Sequence, residues 1–159
     1  MDRSDHLEIA VALVRKIDKQ IRWLGILDAE KKQVDFVVAQ RLEKESWRES
    51  VTREVAWKLE LDRHRDFIVS NMAQINSEFE AVLPGNSETT KIACTFYNVE
   101  LYRKSTVLKV EQDEHLIWLT SNEICNGATQ DGIPLNPLIV LLNEHVKVIQ
   151  HWESDTMEE

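Results

Sequence analysis

Residues Glu45 to Leu61 read ESWRESVTREVAWKLEL, and this stretch decides the fold. Ser46 followed by Glu49 has the S-x-x-E spacing of a capping box, in which each side chain accepts from the other residue's backbone amide, so a helix is predicted to begin there. Trp47, Val51, Val55 and Leu59 recur every four residues and form the apolar stripe that a surface helix presses onto a core. The adjacent strip carries Arg53, Glu54, Trp57, Lys58 and Leu61. Glu54 lies three and four residues before Trp57 and Lys58, which places these three on one face, where any chemistry belongs.

The same stretch resembles the Nudix box, G-x5-E-x7-R-E-U-x-E-E-x-G-U with U aliphatic. Glu45, Arg53, Glu54, Val55 and Leu61 fall on its positions without a gap. Ala39 stands where the first Gly belongs, Trp57 and Lys58 replace the paired Glu, and Glu60 replaces the second Gly. The resemblance implies an α/β/α sandwich around a mixed sheet. It also implies box glutamates that hold Mg²⁺ or Mn²⁺ on the diphosphate of a nucleoside-diphosphate-type substrate. In that frame Glu54 and Glu45 are the candidate metal ligands, and Glu54, Glu45 and Arg53 the candidate catalytic residues if the chain is active. Mg²⁺ needs oxygen ligands in octahedral array, and a lone Glu54 is a thin site. Lys58 adds a fixed cation where the ion would sit, and two positive centres about 4 Å apart repel by roughly 1 to 4 kcal/mol. The expectation is a degenerate metal site with no cofactor, Mg or Mn entering only if the chain is active.

Composition bounds the rest. A chain of 159 residues supports one domain with a real core, expected over 1–152 with an acidic tail at 153–159. The formal charge of −9 offers no field to attract phosphate polymers or anionic lipid, so neither nucleic-acid polymer nor membrane is an expected partner. Cys94 and Cys125 have no C-x-x-C partner spacing and suit free thiols in a reducing cytoplasm. No apolar run approaches the length of a membrane span, and MDRSDHLE lacks the basic start and apolar run of a signal peptide.

Along the chain, the apolar run at 7–15 and the segment 21–28 read as a hairpin in the Nudix pattern, although 5–22 taken alone also fits an amphipathic helix. Val34 to Ala39 is a strand. Phe67 to Met72 is another, with Phe79 to Leu83 as a continuation. Pro84-Gly85-Asn86-Ser87 is a turn, and Lys91 to Tyr102, rich in β-branched and aromatic residues, is the strongest strand. A loop is expected from Arg103 to Glu114, then the strand Leu116 to Leu119. Thr120 and Glu123 repeat the capping-box spacing before a brief helix ending at Asn126-Gly127. Asn136 as N-cap and Pro137 at the first helical position start a last helix through Trp152.

For Glu45, Arg53 and Glu54 an ordinary surface ion-pair set stands beside the remnant-site reading, and an Arg53–Glu45 pair also serves to tie the preceding loop to the helix. Trp57 can stack on a base or plug the former metal cleft, and the burial habit of tryptophan favours the plug. Glu111, Asp113 and Glu114 precede the Leu116 strand where some relatives place a further metal ligand or base; a solvated acidic loop is the plainer reading. His64, His115, His145 and His151 show no zinc spacing. The expected function is a pseudoenzyme-like module that binds a nucleotide-type small molecule or a protein through Trp57, Lys58 and Glu54, with a second copy of the chain as a further partner. The alternative is a divergent Mg-dependent hydrolase of a nucleoside-diphosphate-type substrate.

Overall fold

The computed structural model describes residues 6–17 and 19–150. Its eight strands join one mixed sheet. The centre is a parallel pair: β1 (His6–Ile17) runs beside β7 (Thr89–Leu101), with His6 opposite Lys91 and Arg15 opposite Glu100. The other strand-to-strand pairings among the described residues are antiparallel. β2 (Ile21–Asp28) returns from β1 as the predicted hairpin. β3 (Gln33–Asp35) pairs with β2 and β4 (Val37–Ala39) with β1. β5 (Phe67–Val69) and β6 (Ile75–Val82) both lie on the far side of β7, and β8 (Leu116–Leu119) extends the sheet beyond β2.

Strand alternation sends successive side chains to opposite faces, and both faces of β1 are buried. Ala10, Ala12 and Val14 meet Val51, Val55 and Leu59 of α1 (Trp47–Leu59), together with Val110 of α2 (Lys104–Gln112). Ile9, Val11 and Leu13 meet Ile124 of α3 (Ser121–Asn126) and Ile139 and Leu142 of α4 (Pro137–Val146). The result is the expected α/β/α sandwich. A parallel strand covered on both faces reads as a continuous apolar run, which explains IAVALV at 9–14. At Gly25 in β2 the layers close so tightly that a Cβ would lie 2.4 Å from Val34 Cγ1 and 3.0 Å from Leu119 Cδ1.

Four expectations are corrected. The segment expected as one strand at 34–39 breaks at the buried Phe36, which turns its first half toward β2 and its second toward β1. The strand expected to reach Met72 ends at Val69, and the continuation begins at Ile75. The expected loop 103–114 contains α2, docked by buried Thr106 and Val110 and by a hydrogen bond from Thr106 Oγ1 to Asp66 Oδ1 at 2.9 Å. The last helix stops at Val146, where Lys147 adopts φ 57° and turns the chain back. Asn143 then accepts from Ile149 N at 2.9 Å and donates to Ile149 O at 2.8 Å, seating Ile149 in the core. Trp152 and the acidic tail lie outside the described residues. No helix among the described residues is long and apolar enough to cross a membrane.

Candidate functional site

The helix α1 starts as its sequence dictates. Ser46 Oγ accepts from Glu49 N at 3.1 Å and Glu49 Oε1 accepts from Ser46 N at 2.8 Å, a complete capping box. At its other end Glu60 caps the helix in the left-handed region, φ 55° and ψ 50°. That geometry explains why the box pattern carries Gly at this position: only Gly enters it without a Cβ clash.

Arg53 is the hub of the box. Its Nε and Nη2 donate to Glu45 Oε2 and Oε1 at 2.8 and 3.0 Å, a bidentate pair. Nη2 also reaches Gln40 O at 3.0 Å, and Nη1 donates to Glu54 Oε2 at 2.5 Å. Glu45 Oε1 further accepts from Ser50 Oγ at 2.7 Å and Leu42 N at 3.0 Å. These bonds stitch residues 40–45 to the helix. They hold the Glu45 carboxyl at a pKa of about 2, through Arg53 first, then Ser50 and the Leu42 amide, and the Glu45 carboxylate raises Arg53 above its ordinary value. The structure therefore brings Glu45, Arg53 and Glu54 together, as the spacing requires. Ser50, Gln40 and the Leu42 amide complete the clamp, and no linear signal marked them.

The donor set is thin for a divalent cation. Both oxygens of Glu45 and one of Glu54 are engaged by the protein, which leaves one uncommitted carboxylate oxygen, so phosphates and water would have to fill nearly all of an octahedral shell. The other acidic candidates are engaged elsewhere: Glu111 accepts from Lys16 Nζ at 2.7 Å, and Asp113 Oδ1 accepts from His115 N at 2.8 Å. Glu114 borders a separate cavity with Leu27, Ile133 and Pro134. Among the described residues no three His, Cys, Asp or Glu side chains converge.

Trp57 overturns the plug reading, since it is 78 % exposed. The core beneath α1 is formed by Val51, Val55 and Leu59, and the ring lies outside it. Lys58 is exposed beside it and makes no ion pair with the described residues. The outer strip of α1 is therefore an indole and an ammonium, both in solvent, above a locked Arg–Glu clamp.

No protein-family model matches the chain, and no curated protein matches it. Solved structures do. Shewanella oneidensis NrtR superposes with TM-score 0.56 at 11% identity over 89% of this chain and 62% of that one. The M. Smegmatis Nudix hydrolase RenU gives 0.51 at 12% identity, covering 91% and 89%. The C. elegans Ap4A hydrolase gives 0.51 at 7% identity, covering 76% and 84%. The chain has a Nudix-like fold. At these identities the likeness carries the Nudix-like architecture and not an activity. NrtR has also been solved with a 27mer DNA, so the expectation of no nucleic-acid partner rests on the charge of this chain and not on the Nudix-like fold.

Proposed function

We propose that this Nudix-like domain is a non-catalytic binding module whose working surface is the outer strip of α1, and that its ligand is of the nucleotide type. The observation that carries this reading is the exposure of Trp57 beside Lys58 over carboxylates already committed to Arg53. An exposed indole offers a flat apolar face with a polar N–H, the kind of side chain enriched where surfaces meet a partner. Trp57 and Lys58 stand about 100° apart around the helix, so the ring can stack on a base while the ammonium meets a phosphate as a point charge. The names of the fold neighbours, an Ap4A hydrolase and a UDP-X diphosphatase among them, support the nucleotide class. A protein partner presenting a ring and an acidic group would use the same surface. A reducing, cytoplasmic setting suits the two free thiols.

Titration of the full chain with ADP-ribose, ATP and a dinucleoside tetraphosphate, followed by tryptophan fluorescence, tests the reading. Saturable quenching is expected, lost in Trp57→Ala and weakened in Lys58→Glu, with no release of monophosphate in the presence of Mn²⁺. Mn²⁺-dependent cleavage abolished by Glu54→Gln would replace this reading with a divergent hydrolase working through Glu54, Glu45 and one of Glu111, Asp113 and Glu114.

A further inference from the structure

Beyond the N-terminal end of α1, the sheet carries a groove of about 290 Å³. Strand register fixes its floor. Glu8 of β1 and Glu78 of β6 are both partners of Ala93 in β7, so three adjacent strands place a methyl group between two carboxylates. The next row is Ala10, Thr95 and Asn76. Alternation puts Glu8, Glu78, Thr95 and Asn76 on the face that Ala10 and Ala12 present to α1. Two strand spacings, about 9.6 Å, separate β1 from β6, enough for one small group to sit between the carboxylates. Arg41 and Trp47 form the helix-side wall, the guanidinium carbon 5.4 Å from the indole centroid.

Two observations distinguish this groove from an ordinary dent. Thr95 lines it, is only 4 % exposed, and its Oγ1 has no hydrogen-bond partner. A buried hydroxyl without a partner is disfavoured, and a change of χ1 rotamer, which moves Oγ1 to another staggered position on Cβ, gives it a route toward a ligand in the groove. The lining also carries charges of both signs, Glu8 and Glu78 against Arg41, and none of them makes an ion pair with the described residues. The flanking row of His6, Lys91 and Glu80 adds one cation and one carboxylate and leaves the balance unchanged.

We propose that the groove binds a small zwitterion of the α-amino-acid class, with the ligand carboxylate on Arg41 and the ligand ammonium between Glu8 and Glu78. The guanidinium fork matches a carboxylate bidentately, and an ammonium has three donors for two carboxylates and the Thr95 hydroxyl. A simple anion would face two carboxylates, and a simple cation would face Arg41. Trp47 and Trp57 are ten residues apart, about 15 Å along the helix axis, so the site is independent of the nucleotide surface and either reading can fail alone.

The test is an amide NMR titration of the full chain with L-amino acids, with acetate and methylammonium as half-ligand controls. At least one amino acid is expected to shift groove resonances saturably while neither half-ligand does. Arg41→Gln and the double variant Glu8→Gln with Glu78→Gln should each weaken binding at least tenfold. Thr95→Val should weaken binding yet raise Tm by about 2 to 4 °C, because it keeps the shape and removes the orphan hydroxyl. The proposal is overturned if no amino acid shifts these resonances up to its solubility limit, if binding survives both charge variants, or if Thr95→Val lowers Tm.

Discussion

Arg53 grips Glu45 through two parallel hydrogen bonds across eight residues of sequence, and the same guanidinium closes on the backbone of Gln40. The pair is a joint between a loop and a helix. Its acidic partner carries a pH signature. The Glu45 carboxyl titrates at about 2 in the folded chain against 4.5 for the free group, so its contribution is fully present above pH 4.5 and is lost as pH falls toward 2. Chemical denaturation of the parent and Glu45→Gln across pH 2 to 7 should show a gap that is constant above about pH 5 and shrinks steadily as pH falls toward 2. A gap undiminished at pH 2 would mean the variant is destabilised by something other than lost ionisation.

Trp57→Glu should leave stability within about 0.5 kcal/mol of the parent, since the ring is in solvent. Trp57→Phe should lower the part of the intrinsic fluorescence that acrylamide readily quenches. A loss of several kcal/mol in Trp57→Glu would place the ring in a packed interface in solution and refute its exposure.

Glu60→Gly should stabilise the fold. Glu60 sits at φ 55°, where a Cβ costs about 1 kcal/mol, so the glycine variant is expected to gain roughly 0.5 to 1 kcal/mol, or about 2 to 3 °C in Tm. The gain is partly offset by the greater freedom of glycine in the unfolded chain. Lys109 donates to the backbone oxygen of residue 60, a bond the glycine variant keeps, so an unchanged or lower Tm would show that the strain at this position is offset elsewhere.

Gly25→Ala should do the reverse. The added methyl meets Val34 and Leu119 side chains that are themselves fully buried, and overpacking of this kind costs about 1 to 3 kcal/mol. Thermal unfolding is the measurement, and a neutral substitution would mean that β2 and β8 can separate at no cost.

What the sequence made legible was local. The start of α1 could be read because a capping box is a four-residue signal, and its buried stripe because Val51, Val55 and Leu59 repeat every four residues. The clamp could be read from the spacing of Glu45 and Arg53. α2 could not, because its N-cap is Arg103 at φ 67° with no capping side chain, and only Thr106 and Val110 are buried. The end of α4 is set by Asn143 seizing the backbone of Ile149, a contact that outweighs the apolar periodicity running on toward Trp152. Trp57 defied its residue type because the ring lies outside the core beneath the helix. The groove at Thr95 was invisible for a related reason: its rows exist only once β1, β6 and β7 are in register.

The central parallel pair also sets an order of events during synthesis. β1 is made first, and its partner from Lys91 to Glu100 emerges only after some seventy-five further residues, roughly 4 to 15 s at ordinary ribosomal rates. The β1–β2 hairpin can close within microseconds, but it pairs only Arg15 to Ile17 with the return strand. β4 and α1 are made within that interval and can cover one edge and one face of Ile9 to Val14, but the edge that β7 will pair and the face that α3 and α4 will cover stay open on the nascent chain. This stretch is the segment a ribosome-proximal chaperone would cover, and the one through which incomplete chains would adhere to one another.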